Sequence, residues 1–255
     1  MIFDTNVHLT LNDEYATKTK LYKNLNKNFI KIYKKYRLKG FACVGLPNKS
    51  SYDHLNFYRK FNKENIFPVA ALNSKFNINQ ELKKISSIGF KAIKIHPRNL
   101  KCTFDELDLE KVMFYNRKYN LKILLCTYFN DVPNNLYDTD PKYYISKAIK
   151  KNHNQKIIFM HGGCERILEF AEIARFSNNI LLDLSLTIMK YEKSSVDNDI
   201  RYLFNYFDQK ITLGSDFPEW NYDKFIKRIK FFSKNLSLKK KQNIYYKNII
   251  KFLSD

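Results

Sequence analysis

The stretch "FDTNVHL" near the start places Asn6 and His8 two residues apart, just behind the acid Asp4. On an extended strand such a pair shares one face, because successive side chains alternate sides. Two histidines at that spacing would make a metal-binding pair; here an asparagine holds the first place. Further groups able to do chemistry end apolar runs along the chain. They are His96 and Arg98 in "KIHPR", Cys126 and Thr127 in "LLCTY", His161 and Glu165 in "MHGGCE", Ser185 in "LDLSL", and Ser215 with Asp216 in "LGSDFP". Imidazole, thiolate and carboxylate are zinc ligands. The same groups can also carry a proton or steady an oxyanion. Residues so far apart act together only if a fold brings the ends of many runs to one place.

The runs themselves suggest that fold. Short β-branched or apolar segments recur at 1–6, 41–47, 66–72, 91–97, 122–128, 156–163, 180–186 and 211–218, which makes eight predicted strands. Between them the period becomes helical: Phe170, Ile173 and Ala174 share one face, as do Phe225, Ile226, Ile229 and Phe232. Ser237 is the expected N-cap of a last helix carrying Ile244, Ile249 and Phe252 on its apolar face. Near-continuous apolar strands suit a parallel sheet covered on both sides. Eight strand–helix repeats without a low-complexity linker predict a single (β/α)8 TIM barrel over residues 1–255. An open doubly wound sheet fits less well, since no glycine-rich phosphate loop follows an early strand. In a barrel the chemistry sits at the C-terminal strand ends. Three of the five histidines fall there, with His96, Arg98, Glu165 and Thr127 as candidate substrate contacts. His54 and His153 lie outside this pattern and read as surface or helix residues.

Composition narrows the rest. A hydrophobic content of 44% fits a packed chain, and no run of about 18 apolar residues predicts a membrane span. No basic region followed by an apolar core opens the chain, and Cys43, Cys102, Cys126 and Cys164 form no CxxC pair. Reduced thiols and a cytoplasmic location are therefore expected. The net charge of +20 comes from 37 Lys and only 8 Arg. Nucleic-acid readers favour arginine forks, so lysines spread along helix faces argue against a dedicated nucleic-acid binder. They suit a small anionic metabolite as partner, and the sequence leaves homo-oligomerisation open.

Four segments in order, "IFDTNVHL", "GFKAIKIHPR", "IIFMHGG" and "ITLGSDFPEW", resemble the successive signatures of the amidohydrolase superfamily. The likeness is to the branch containing aminocarboxymuconate semialdehyde decarboxylase and pyrone dicarboxylate lactonase, and it covers nearly the whole chain. It implies a barrel hydrolase or C–C lyase with a divalent metal, usually zinc, at the mouth. Carried over by position, the metal set becomes Asn6, His8, Cys126 and Asp216, with His161 polarising the substrate. Two of those four places depart from the family pattern, since Asn6 and Cys126 stand where histidines are expected.

Three readings follow. With zinc held by His8, Cys126 and Asp216, the metal acidifies its bound water and Asp216 takes the proton. Without metal, Asp216 acts as general base while His8, His96, His161 and Arg98 supply positive or hydrogen-bonding groups. The favoured expectation is hydrolysis of a C–O or C–N acyl bond of a small anionic metabolite, catalysed by Asp216 and His161. The alternatives are a metal-dependent decarboxylase and a degenerate barrel that binds a metabolite without chemistry.

Overall fold

The structure, a computed structural model, describes residues 1–16, 20–46, 52–73, 77–100, 107–129 and 140–254. The expectations placed on Pro47 and Cys102 lie outside the described residues. One eight-stranded parallel sheet runs in the order β1 (Phe3–Val7), β4 (Gly40–Val44), β5 (Ile66–Ala71), β6 (Ala92–Ile95), β7 (Lys122–Cys126), β8 (Ile157–Met160), β9 (Ile180–Asp183) and β10 (Ile211–Thr212). Each predicted run overlaps one of these strands. The sheet closes on itself: Thr5 N–H donates to Leu213 O at 3.0 Å, and His8 N–H donates to Phe217 O at 2.9 Å. The molecule is a (β/α)8 barrel.

Strand order equals sequence order around the ring, because helices connect neighbouring parallel strands. The helix Ile167–Arg175 buries Ile167, Phe170, Ala171 and Ala174 against the sheet. Tyr222–Ser233 does so through Phe225, Ile226, Ile229 and Phe232, and Asn221 caps its start by accepting from Lys224 N–H at 3.0 Å. Ser237 caps the helix Leu238–Gln242, whose first free amides need an acceptor.

A small antiparallel hairpin, β2 (Glu14–Ala16) with β3 (Leu21–Lys23), lies between β1 and its crossover helix. Its strands are short, exposed at alternate positions and polar, so no apolar run announced it.

Inside the ring, Phe3, Ala42, Val69, Ala92, Leu124, Ile158 and Leu181 form one cluster with Ile249, Phe252 and Leu253 of the helix Asn248–Ser254. The last helix thus plugs one end with apolar side chains. Alternation then turns the next inward positions polar: Lys94 follows Ala92, Cys126 follows Leu124, and Asp183 follows Leu181. A bulge in β1 sets the opposite wall. Asp4 pairs with Phe41 and Val7 with Cys43, so β1 carries an extra residue over that span.

Candidate active site

Asn6, His8, His161, Ser185 and Asp216 form an unbroken polar chain across the open end. Asn6 is completely buried, and its amide N–H groups donate to Asp216 Oδ1 at 2.6 Å and Ser185 Oγ at 3.2 Å. His8 Nε2 stands 3.5 Å from the same Oδ1, while His8 Nδ1 lies 3.1 Å from Val44 O. A carbonyl can only accept, so this contact assigns a proton to Nδ1. His161 is oriented the same way: Nδ1 donates to Ser185 O at 3.1 Å, and Ser185 Oγ lies 3.1 Å from it. In both rings Nε2 is left for the site.

The turns that deliver these groups adopt unusual backbone. His161, Leu186 and Asp216 have φ of 68°, 60° and 56°, a left-handed region that costs a side-chain-bearing residue about 1 kcal/mol or more. Gly214 shows why one glycine is needed beside Asp216. A Cβ there would fall 2.8 Å from the Cβ atoms of Asn6 and Ser185. Asp4 lies at the same rim yet serves the scaffold. It accepts from Ser215 N–H at 2.8 Å, Asn6 N–H at 3.2 Å and Tyr222 O–H at 3.0 Å, tying β1 to the segment after β10. Burial raises its carboxyl to about 7 against the pull of those donors.

The electrostatics divide the mouth into a carboxylate side and a thiol side. Burial opposes charge on Asp216, but His8, His161 and Lys94 outweigh it and hold the carboxyl well below the usual range. Burial likewise opposes a Cys126 thiolate, and His96 and His161 beside it overcome that and hold the thiol far below its ordinary value. His161 is pushed towards neutrality by burial, yet Cys126 and Asp216 leave it more basic than a free imidazole. His96 goes the other way, because burial exceeds the attraction of Cys126. Lys94, 1% exposed, is lowered by burial and partly restored by Cys126, Asp216 and Asp183.

Cationic groups converge at the rim around Tyr128. Arg98 Cζ sits 4.5 Å and Lys190 Nζ 4.1 Å from the Tyr128 ring centroid, and Lys190 also donates to the Tyr128 hydroxyl. Arg98 approaches His96 Nε2 at 3.5 Å, and the Tyr128 ring lies 6.5 Å from that of His161. Across the mouth, Tyr15 of the hairpin stacks on His8 with ring centroids 6.1 Å apart.

Two expected substrate contacts are engaged by protein partners. Thr127 is buried, with its hydroxyl donating to Met160 O at 2.6 Å and accepting from Gly163 N–H at 2.8 Å. It pins the turn after β8, and its only proton is already given to the backbone. Glu165 is exposed and accepts from Tyr191 O–H at 2.7 Å. Its position just after a strand end suggested the mouth; in the structure it follows the turn at His161 and is held by Tyr191, the neighbour of Lys190. His54, expected on the surface or in a helix, opens the helix His54–Phe61 and is buried there. It is 5% exposed, 3.5 Å from Glu81 and 3.3 Å from the Tyr52 hydroxyl, whereas His153 is exposed as expected. Lys190 and Tyr15 were missed. Lys190 comes from the short helix Thr187–Lys190, and Tyr15 from the unannounced hairpin.

The expected zinc set of His8, Cys126, Asp216 and Asn6 is corrected too. Among the described residues no three His, Cys, Asp or Glu side chains are grouped closely enough to hold a metal ion. The donor chemistry explains this. Zinc needs lone pairs, while Asn6 turns N–H groups towards Asp216 and Ser185. Its buried Oδ1 has no hydrogen-bond partner but is an amide oxygen, a poor zinc donor. Cys126 is meanwhile flanked by His96 and His161. The residues present do not fit a metal ion.

Comparison with known proteins places this geometry among related folds. No protein-family model matches the sequence, and no curated protein matches it. Solved structures do match along the whole chain. A probable 2-pyrone-4,6-dicarboxylic acid hydrolase of Acinetobacter baumannii with citric acid bound is 14% identical over 100% of this chain and 99% of its own, with a TM-score of 0.70. A zinc-bound amidohydrolase of Burkholderia multivorans is 10% identical over 100% and 99%, with a TM-score of 0.69. A 2,6-dihydroxybenzoate decarboxylase complexed with 2,6-dihydroxybenzoate is 10% identical over 99% and 98%, with a TM-score of 0.67. These enzymes include hydrolases and a decarboxylase, and at such identities the likeness is one of fold. The chain is a TIM barrel of the architecture seen in amidohydrolase and decarboxylase structures.

Proposed function

We propose that this barrel hydrolyses a C–O or C–N acyl bond of a small anionic metabolite, with Asp216 as general base and His161 as oxyanion donor. The observation that carries the reading is the chain His161–Ser185–Asn6–Asp216–His8, which spans the open end in contacts of 3.5 Å or less. It starts at the basic imidazole of His161 and carries the ionised carboxylate of Asp216 towards its other end, next to His8. Arg98, with Lys190 beside it on Tyr128, offers a fork for a substrate carboxylate.

With the acid group so held, the scissile carbonyl oxygen meets His161 Nε2–H and its carbon faces Asp216. Water attacks that carbon while Asp216 takes its proton; the collapsing intermediate expels the alcohol or amine, which receives that proton back. A strongly acidic carboxyl is a weak base, which at first counts against Asp216. One of the cations that acidify it, His161, is the group the substrate's carbonyl oxygen would engage, so binding draws on that charge and raises the basicity of Asp216. The similarly folded hydrolase that holds citric acid supports an acidic ligand.

The test is a panel of carboxylated lactones, esters, amides and aromatic acids. Turnover of an acyl substrate, reduced at least about 100-fold in Asp216→Asn, is expected. Release of carbon dioxide from an aromatic acid, or no turnover across the panel, would overturn the reading.

A further inference from the structure

Residues of the helices Leu25–Tyr36 and His54–Phe61 line a cavity of about 320 Å³ on the outer side of the barrel wall. Phe29 comes from the first helix, Phe61 from the second, and Phe41 of β4 and Ile66 of β5 from the sheet. Phe41 alternates with Ala42 of the inner cluster and so faces outward. A space of this size with aromatic and aliphatic walls is in the range of small-molecule sites. Ile30 carries the apolar lining to the surface, where it is 53% exposed. The wall also holds a half-buried charge. Lys60 Nζ lies 5.6 Å from the Phe61 ring centroid and donates to Leu11 O at 2.7 Å and Thr10 O at 3.4 Å. An ammonium has three N–H groups, and these carbonyls take two. With Lys63 and Glu64, both exposed, the charged groups of the lining sum to one positive charge.

We propose that this cavity binds an amphipathic carboxylate, a medium-chain fatty acid, with its tail among Phe29, Phe41 and Phe61 and its head group on the third N–H of Lys60. Both ends of the guest are needed. The rings gain from burying an apolar chain, and the excess positive charge at the wall selects an anionic head. A neutral chain leaves that N–H without an anion, and a short acid gains little from the rings. Asn26, also on the lining, donates from Nδ2 to Thr10 O at 3.2 Å, so both helices grip the segment that follows His8. The site is separate from the mouth, and the inference holds whatever bond is cleaved there.

Decanoate is the probe, with butyrate and decanol as controls. Titrated into protein with isotope-labelled isoleucine methyls, decanoate should shift the Ile30 and Ile66 signals saturably, with a Kd of about 0.1–1 mM. Butyrate should shift neither. Ile66→Phe fills the cavity and should weaken decanoate at least about tenfold, read at Ile30. Circular dichroism checks folding, and Ile30→Trp, read at Ile66, replaces that variant if it does not fold. Lys60→Met should weaken decanoate at least about fivefold and leave decanol unchanged. Decanoate that shifts neither methyl, or that binds the filled variant as tightly as wild type, would overturn the proposal. So would a Lys60→Met variant that binds decanoate undiminished. A concentration-dependent dimer in ultracentrifugation that Ile66→Phe abolishes would assign the face to a second copy of the chain and overturn it too.

Discussion

At the plugged end of the barrel, Ala92, Leu124 and Leu181 meet Ile249, Phe252 and Leu253 in a dry cluster. One inward step further along the same strands stand Lys94, Cys126 and Asp183, and beyond them His96 and Ser185. Both ends are buried, so burial alone does not distinguish scaffold from site. The difference lies in what burial does to each side chain. At the plug it removes apolar area from water and stabilises the fold. At the mouth it raises the energy of every charge, and His161 and Asp216 still favour their charged forms because of what they face: His161 meets Cys126, and Asp216 meets His8, His161 and Lys94.

Substitutions at the two ends should therefore separate stability from chemistry. Phe252→Ala empties part of the plug and should lower stability by about 3 kcal/mol, or roughly 6–10 °C in Tm, with activity per folded molecule unchanged. Chemical denaturation and active-site-normalised assays would check this. A matching loss of kcat per folded molecule would erase the contrast.

His161→Asn should do the reverse, lowering kcat by about 100-fold with a modest change in Tm. Its pH profile sharpens the case. The folded imidazole is more basic than the ordinary 6.5, so its charged form persists above that value. Its contribution to stability and to activity is complete below pH 6.5 and lost as pH rises through the raised folded value. Wild-type kcat/KM should show that alkaline limb, and the residual activity of His161→Asn should lack it.

Arg98→Met removes a binding group from the rim, so KM should rise about tenfold while kcat holds. The smallest effect belongs to a charged cluster on the outside. Arg166 donates to Asp140 and Glu169 at 2.7–2.8 Å, with Lys142 on Glu169 at 2.6 Å. Arg166, the first of its donors, holds Glu169 down to about 2, so its contribution is present above the ordinary carboxylate pKa and fades as pH falls towards that value. The carboxylates are well exposed, and Arg166→Ala should cost less than about 1 kcal/mol in urea unfolding at pH 7.

The barrel was legible because its strands are near-continuous apolar runs and its helices keep an apolar face, as in Phe225, Ile226, Ile229 and Phe232. Strand ends were less so. The run 211–218 yields a strand only at Ile211–Thr212, since the close approach at Gly214 and the left-handed Asp216 break the ladder. At the site, period-two spacing correctly put Asn6 and His8 on one side, where both reach Asp216. Direction failed wherever a turn intervened. Glu165 is taken up by Tyr191, and Thr127 by the backbone around Met160 and Gly163. Lys190 was beyond reach, because its partner Tyr128 comes from another part of the ring.

The most direct test of acyl hydrolysis at the mouth is the fate of solvent oxygen. Turnover in ¹⁸O-labelled water of the acyl substrate found in the panel would be followed by mass spectrometry. One labelled oxygen per molecule of acid product is the expected result. An unlabelled product, or loss of a carboxyl group as carbon dioxide, would contradict water attack at a carbonyl held between Asp216 and His161.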